Sequence, residues 1–600
     1  MAQRKRERPL RIANAGGYWG DDASALRRQL ESAPPGGLDY VNLDFLAELT
    51  LAILQKQRAR DPLAGYARDF VAQAVDALGL LAEKRVRVIT NAGGGNPLGC
   101  ARAIAQAAAA RGLHPRIAVV LGDDFLASAR EWHREGIAFS SLETGQPFSE
   151  IEGKLTSAHA YLGAKAIARA LEEEPDIVVT GRVTDAALTL GPCWHEFGWG
   201  AADWDAIAGA TVAGHLLECG SQVTGGNFTD WHTVPGLSRL GYPIAEIAAD
   251  GSFTLTKTPG TGGRVSPHTV AEQLLYEIDD PAAYLTPDVT VDFTGLQLAE
   301  DGPDRVTVRG ARGFCPPTDY KAAMTFDAGF KISGSLLVGG PEAAAKAEAC
   351  AEIFWSRFPA EPRLRATEFI GRDAFHRTLG GRGEAEEICV RFAARGARQA
   401  DLSPIAKAIP AMVLGGPPGI TVEGSLPAVT EILGYWPSLV PRSRIQPQLV
   451  VLEKTGERGP TAVECPALVG APAPGTPSAL RQTALRVLSA SARGESGTVL
   501  RDLCLARSGD KGNRLNLGVI ARSADAYRIL REKLTAQWVK DRFQAFCQGP
   551  VTRYEIPKLT AFNFVLEQAL DGGGMLSLRA DALGKTLGQA LLRQHLDVSA

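Results

Sequence analysis

The chain has 600 residues, of which 45% are hydrophobic and 22% charged, so it holds ample apolar material for a core and is long enough for more than one domain. A formal net charge of −3 excludes the basic face of a nucleic-acid binder, and no run of about eighteen apolar residues offers a membrane span. The nine cysteines are scattered without a C-x-x-C pair, which excludes the usual structural-zinc spacing and suits reduced thiols in the cytoplasm.

In chain order, the basic stretch MAQRKRER at residues 1–8 reads as a solvated tail without the apolar segment of a secretory signal. A core domain is expected over 9–465. In it, Leu10–Ala13 is a short strand that leads into the glycine loop Asn14-Ala15-Gly16-Gly17 and a helix from Ser24. The plan returns where the alternating strand Arg85–Thr90 feeds Asn91-Ala92-Gly93-Gly94-Gly95 and a helix opened by Pro97, proline in a first turn being a start signal. It returns again after a helix over Ser157–Glu172, where Asp176–Thr180 runs into Gly181-Arg182-Val183-Thr184-Asp185. Strand, polar loop and helix in this order predict an α/β fold with a large, mainly parallel-sheet, Rossmann-like core. The loops would then converge at the carboxyl edge of the strands, where open α/β sheets bind ligands.

Beyond residue 200 the pattern loosens into a mixed second lobe, helical and then glycine-rich over Gly209–Gly226 and β-like over Pro287–Arg309. The proline-rich stretch 466–496 reads as a linker with one short helix. Residues 497–600 alternate strands and helices in an order that suits a small ferredoxin-like α+β domain.

Four groups of residues can carry chemistry. The loops of Asn14, Gly16 and Gly17 and of Asn91, Gly93, Gly94 and Gly95 read either as anion cradles or as tight turns that need glycine for geometry alone. They match neither dinucleotide nor P-loop spacing, so the chain has no NAD or ATP signature. Arg182, Thr184 and Asp185 suit the grip of a substrate carboxylate or phosphate, or else cap a helix with local pairing of Arg182. His215, Glu218 and Cys219 stand at i, i+3 and i+4 on one helical face, followed by Gln222, Gly225 and Gly226. His215 with Glu218 would form a general acid–base pair, with Asp185 as a further carboxylate and Cys219 as a nucleophile; the alternative is a satisfied histidine beside a structural cysteine. H-x-x-E-C is not a zinc spacing, and no metal is assigned. In the small domain Arg507, Asp510, Lys511 and Asn513 crowd a segment, Ala506–Arg514, that is long for a simple hairpin and reads as a solvated turn or a cover for an acidic ligand.

Taken together, Asn14-Ala-Gly-Gly-Tyr-Trp-Gly-Asp, Leu46-Ala-Glu-Leu-Thr, Asn91-Ala-Gly-Gly-Gly-Asn, Gly181-Arg-Val-Thr-Asp, Gly214-His-Leu-Leu-Glu-Cys-Gly and Arg507-Ser-Gly-Asp-Lys-Gly-Asn make the chain resemble the acyclic terpene utilisation AtuA family over nearly its whole length. The resemblance implies a large core followed by a ferredoxin-like domain, and a role in degrading acyclic terpenoids or other branched acids beside enzymes of acyl-CoA metabolism. The expected ligand is a small carboxylate or an acyl-CoA, with coenzyme A present only as part of the substrate. The first expectation is a lyase or hydratase, the second an acyl or CoA transferase using Glu218 or Cys219, and the third a non-catalytic partner of an acyl-CoA carboxylase or another catabolic enzyme. A homo-oligomer is expected on general grounds.

Overall fold

Continuous aliphatic runs build the centre of the largest sheet in this computed structural model, which describes residue 6 and residues 8–200, 202–359, 362–380, 385–464, 470–475, 478–487 and 497–598. In chain order the first strands are β1 (Leu10–Asn14), β2 (Tyr40–Leu43), β3 (Arg87–Thr90), β4 (Ile117–Leu121), β5 (Leu155–Ala160) and β6 (Ile177–Thr180). Strands β1, β2, β3, β6 and β4 lie side by side in that order, all parallel. Their side chains alternate between two covered faces. Val41 and Leu43 join a core with Phe70, Leu78 and Ile104 from the helices Arg68–Lys84 and Pro97–Ala109. Asn42, between them, points to the opposite face, where its amide donates to Thr189 of the helix Ala187–Phe197 at 2.6 Å.

The expected mainly parallel core is corrected at both flanks. Beyond β1 the sheet continues antiparallel through β7 (Pro243–Ile247), β8 (Phe253–Lys257), Val306–Arg309 and Gln297–Glu300; beyond β4 it continues through Gln448–Glu453 and Gly456–Ala462. The reason is local. β7 and β8 are joined by the tight turn Ala248–Ser252, with Gly251 at φ +82, rather than by a crossover helix. The sheet is therefore mixed, with a parallel centre.

Two further expectations change. Ser157–Ala160 is strand, not helix: β5 pairs with the long strand Asp319–Gly339, and the Thr156 and Ser157 hydroxyls meet Thr325 Oγ1 at 2.8 and 2.5 Å. Only Lys165–Leu171 is helical there. The basic stretch before residue 9 is pinned where it is described, since Arg6 bonds Asp39 at 2.6 Å and Glu196 at 3.1 Å, and Arg8 bonds Asp39 at 2.7 Å.

The chain forms two compact units. The first comprises Met1–Thr325, Trp436–Leu480 and Tyr554–Ala561, and the second Phe326–Tyr435, Arg481–Arg553 and Phe562–Ala600. In the second, the strand Glu387–Gly396 lies antiparallel between Leu364–Ile370 and Phe330–Gly339, and the helices Ala343–Ser356 and Gln399–Gly415 share a core with this sheet. A five-stranded sheet runs in the order Arg481–Ala484, Val551–Ile556, Ala561–Leu566, Arg514–Ala521, Cys504–Lys511. Within the stretch expected as a linker, the described residues include one 3-10 turn, Ser478–Leu480, and the strand Arg481–Ala484; residues 466–469, 476–477 and 488–496 lie outside the described residues.

Candidate functional site

Each central parallel strand ends at its carboxyl edge in, or within two residues of, a buried polar side chain: Asn14 for β1, Asp44 for β2, Asn91 for β3, Asp123 for β4 and Arg182 for β6, none more than 4% exposed. Strand direction alone brings these groups to one edge. The two asparagines are spent on structure. Asn14 closes its own loop, its Nδ2 donating to the Gly16 carbonyl and its Oδ1 accepting from Gly16 N, both at 3.0 Å. Gly17 N donates to Asp21 at 2.8 Å. The anion cradle expected from Gly16 and Gly17 is thus already filled by the chain's own oxygens. Asn91 clamps the neighbouring loop, accepting from Phe45 N and donating to Asp44 Oδ1, each at 2.7 Å. Gly94 N returns to the Asn91 carbonyl at 3.1 Å, and Gly93 lies so close to the end of β6 that a Cβ would stand 2.5 Å from the Thr180 oxygen.

Arg182 is the pivot. Its NH1 donates to Asp185 Oδ1 at 2.8 Å and to the Leu46 carbonyl at 3.2 Å, and its guanidinium lies 4.2 Å from the centre of the Tyr161 ring. Its buried Nε–H has no partner among the described residues. Tyr161 donates to Glu48 at 2.6 Å, and Lys321 lies 3.7 Å from the same carboxylate oxygen. Burial raises the Glu48 carboxyl, but the charges of Lys321 and Arg182 and the Tyr161 hydroxyl outweigh it and push it down to about 2. Asp44 goes the other way: burial and the nearby Asp185 carboxylate hold it well above the usual carboxylate range, against Asn91 and Arg182. Asp44 Oδ1 accepts from Asn91 Nδ2 at 2.7 Å and from Leu46 N at 3.0 Å. Thr184, half-buried, donates its N–H to the Leu162 carbonyl.

His215 and Glu218 meet as the spacing predicts. The helix Trp204–Leu217 places His215 in its last turn, 1% exposed, with Nδ1 3.1 Å from Glu218 Oε1 and Nε2 3.0 Å from the Gln273 carbonyl. Burial raises the Glu218 carboxyl, helped by the Asp185 charge and opposed by His215. Cys219 follows the helix, half-buried, with its backbone against Gly17. Gln222 ends a 3-10 turn, and the Gly225 and Gly226 N–H groups return to the Gln222 and Ser221 carbonyls, so this stretch folds upon itself.

The sequence missed a second buried pair. His159, on β5, lies with Nδ1 2.9 Å from Asp123 Oδ2, the oxygen that also accepts from Arg182 N at 2.9 Å. His159 Nε2 is buried without a partner among the described residues. Asp44, Glu48, Asp123, Tyr161 and Lys321 were missed with it. The signal for Asp44 and Asp123 was present, because each follows a short aliphatic strand as the recognised loops do.

The remaining candidates lie in the second unit, on the hairpin of Cys504–Lys511 with Arg514–Ala521. Lys511 opposes Arg514, so Gly512 and Asn513 form a two-residue turn and the expected long loop is mostly strand. Arg507 is 4% exposed, Lys585 stands 3.2 Å from Asp510, and Asn513 Oδ1 accepts from Gly572 N at 2.9 Å. A cavity of about 520 Å³, lined by Trp199 and Trp204 among others, lies at the start of the helix whose far end carries His215, away from the polar edge. Among the described residues no group of three or more His, Cys, Asp or Glu side chains is arranged to hold a metal ion, and no helix is long and apolar enough to cross a membrane.

A model of the family described as acyclic terpene utilisation family protein AtuA matches residues 10–451, and one of the AtuA ferredoxin-like domain matches residues 498–597. No curated protein and no solved structure matches the chain. The strand-end loops and the hairpin described above fall inside those two spans, and the chain belongs to the AtuA family of acyclic terpene utilisation proteins.

Proposed function

We propose that the protein is a catabolic enzyme of acyclic terpenoid or branched-acid degradation, a lyase or hydratase acting on a branched carboxylate or its acyl-CoA thioester. The observation that supports this reading is Arg182, a guanidinium 3% exposed at the strand edge whose buried Nε–H has no partner among the described residues and whose charge acts on Asp44, a carboxyl that burial and Asp185 hold well above the usual range. In addition or loss of water beside a carbonyl, negative charge builds on the carbonyl oxygen, and a fixed donor at that oxygen stabilises it. Arg182 takes that role. Asp185, whose side chain keeps 36% of its surface exposed, is the base for the α-proton, and Glu218, oriented by His215, is the acid for the departing oxygen.

The experiment is solvent deuterium exchange at the α-carbon, read by mass spectrometry on branched acyl-CoA thioesters and free branched acids. Enzyme-dependent exchange supports the reading. Absence of exchange with every compound overturns it, and a covalent acyl adduct on Glu218 or Cys219 replaces it with group transfer.

A further inference from the structure

The sheet of the second unit carries cations that the proposed reaction does not use. The register of Phe330–Gly339 with Glu387–Gly396 opposes Lys331 to Arg395, Ser333 to Ala393 and Ser335 to Arg391. Directly opposed residues share a face. The alternate residues, Ile332, Leu336, Val390, Phe392 and Ala394, are buried in the core with the two helices, so the cations project from the other face.

Arg391 is compensated there, with NH1 2.6 Å from Glu368 and 2.7 Å from the Leu578 carbonyl. Arg395 is not. Its NH1 donates to the Leu576 carbonyl at 2.9 Å, and among the described residues its buried Nε–H has no partner and neither Arg395 nor Lys331 forms an ion pair. Like charges placed directly opposite destabilise an antiparallel pair. Burial and the two arginines accordingly push the Lys331 ammonium below the usual lysine range, and burial lowers the Arg395 guanidinium. An anion on this face would relieve both groups. Two uncompensated charges and the Ser333 hydroxyl, two residues along the strand from Lys331, fit the charge and several acceptor oxygens of a phosphate better than the single charge of a carboxylate.

We propose that Lys331 and Arg395, flanked by Arg391 and Ser333, form a binding site for a phosphate group. Inorganic phosphate and the phosphates of a coenzyme A thioester are the two sources of that chemistry. The site stands on its own geometry, and only its link to coenzyme A rests on the proposed function.

The test is calorimetric titration of the full chain, in a phosphate-free buffer, with inorganic phosphate, pyrophosphate and coenzyme A. It uses the wild type, Arg395→Gln and Lys331→Met, the last keeping the apolar stem should smaller residues disturb the sheet. Binding should weaken with salt and fall at least about tenfold in each variant, and phosphate should raise the Lys331 pKa followed by NMR. Tighter binding of coenzyme A than of inorganic phosphate, lost in the variants, identifies the coenzyme as the source. Binding of inorganic phosphate alone keeps the site while removing that link. No phosphate binding by the wild type, or undiminished binding by both variants, overturns the proposal, even for an enzyme that exchanges α-protons.

Discussion

His215 touches Glu218 through Nδ1 at 3.1 Å, while its Nε2 is fixed on the Gln273 carbonyl at 3.0 Å. A carbonyl only accepts, so Nε2 carries a hydrogen and Nδ1 is left to meet the Glu218 carboxyl, which burial raises and His215 opposes. His215 therefore positions Glu218 rather than acting as a free base. Glu218→Gln preserves a hydrogen-bond partner for Nδ1 but abolishes proton transfer, and turnover should fall at least roughly a hundredfold with little change in Tm. A loss under about threefold would contradict the assignment.

The Asp123–His159 pair should show in stability. Burial opposes the imidazolium, but the Asp123 hydrogen bond and charge outweigh it and raise His159 above its ordinary 6.5. The native state then holds this proton more tightly than the unfolded chain, so the contribution is complete below about pH 6.5 and is lost as pH rises through the higher native value. Thermal unfolding of His159→Asn across that range should lack this decline. Parallel curves for variant and wild type would refute the pairing.

Asp288 sets a different window. Both its oxygens accept from Ala164 N, at 3.0 and 2.9 Å, just before the helix Lys165–Leu171, and burial pushes its carboxyl from 3.8 up to about 6. Its contribution is complete below 3.8 and lost as pH rises through about 6. Asp288→Asn should flatten the stability profile between those values, and chemical denaturation at several pH values would reveal it. A profile as steep as that of the wild type would show that Asp288 does not titrate there.

Two glycines should respond oppositely to alanine. At Gly93 a Cβ would lie 2.5 Å from the Thr180 oxygen and 2.7 Å from Pro97 Cα, so the loop must leave the end of β6, at a cost of about 1–3 kcal/mol. At Gly79, inside the helix Arg68–Lys84, nothing lies within 4 Å, and alanine should stabilise by about 0.5–1 kcal/mol. Urea unfolding of both variants tests the contrast, and equal effects would contradict the packing described.

The motif loops were legible because each is contiguous, a strand followed at once by its polar residues. The pairings that set the chemistry were not. His159 finds Asp123 36 residues earlier in the chain, and its alanine-rich surroundings read as helix although they pair as strand with Asp319–Gly339. Lys321 reaches Glu48 from a strand that carries no motif. Glycine spacing announced the first loop but not that Asn14 and Asp21 consume its N–H groups. The antiparallel flanks were hidden because a strand's own residues do not reveal whether a hairpin or a helix joins it to the next.

The most direct test of the proposed site is calorimetric binding of branched carboxylates and their coenzyme A thioesters to the wild type and to Arg182→Gln. The wild type should bind at least one of them and the variant, checked for an unchanged fold, should lose at least about tenfold in affinity, the loss expected for a charge-assisted bond to a buried guanidinium. Equal affinity in the two proteins would contradict the placement of the substrate anion at Arg182.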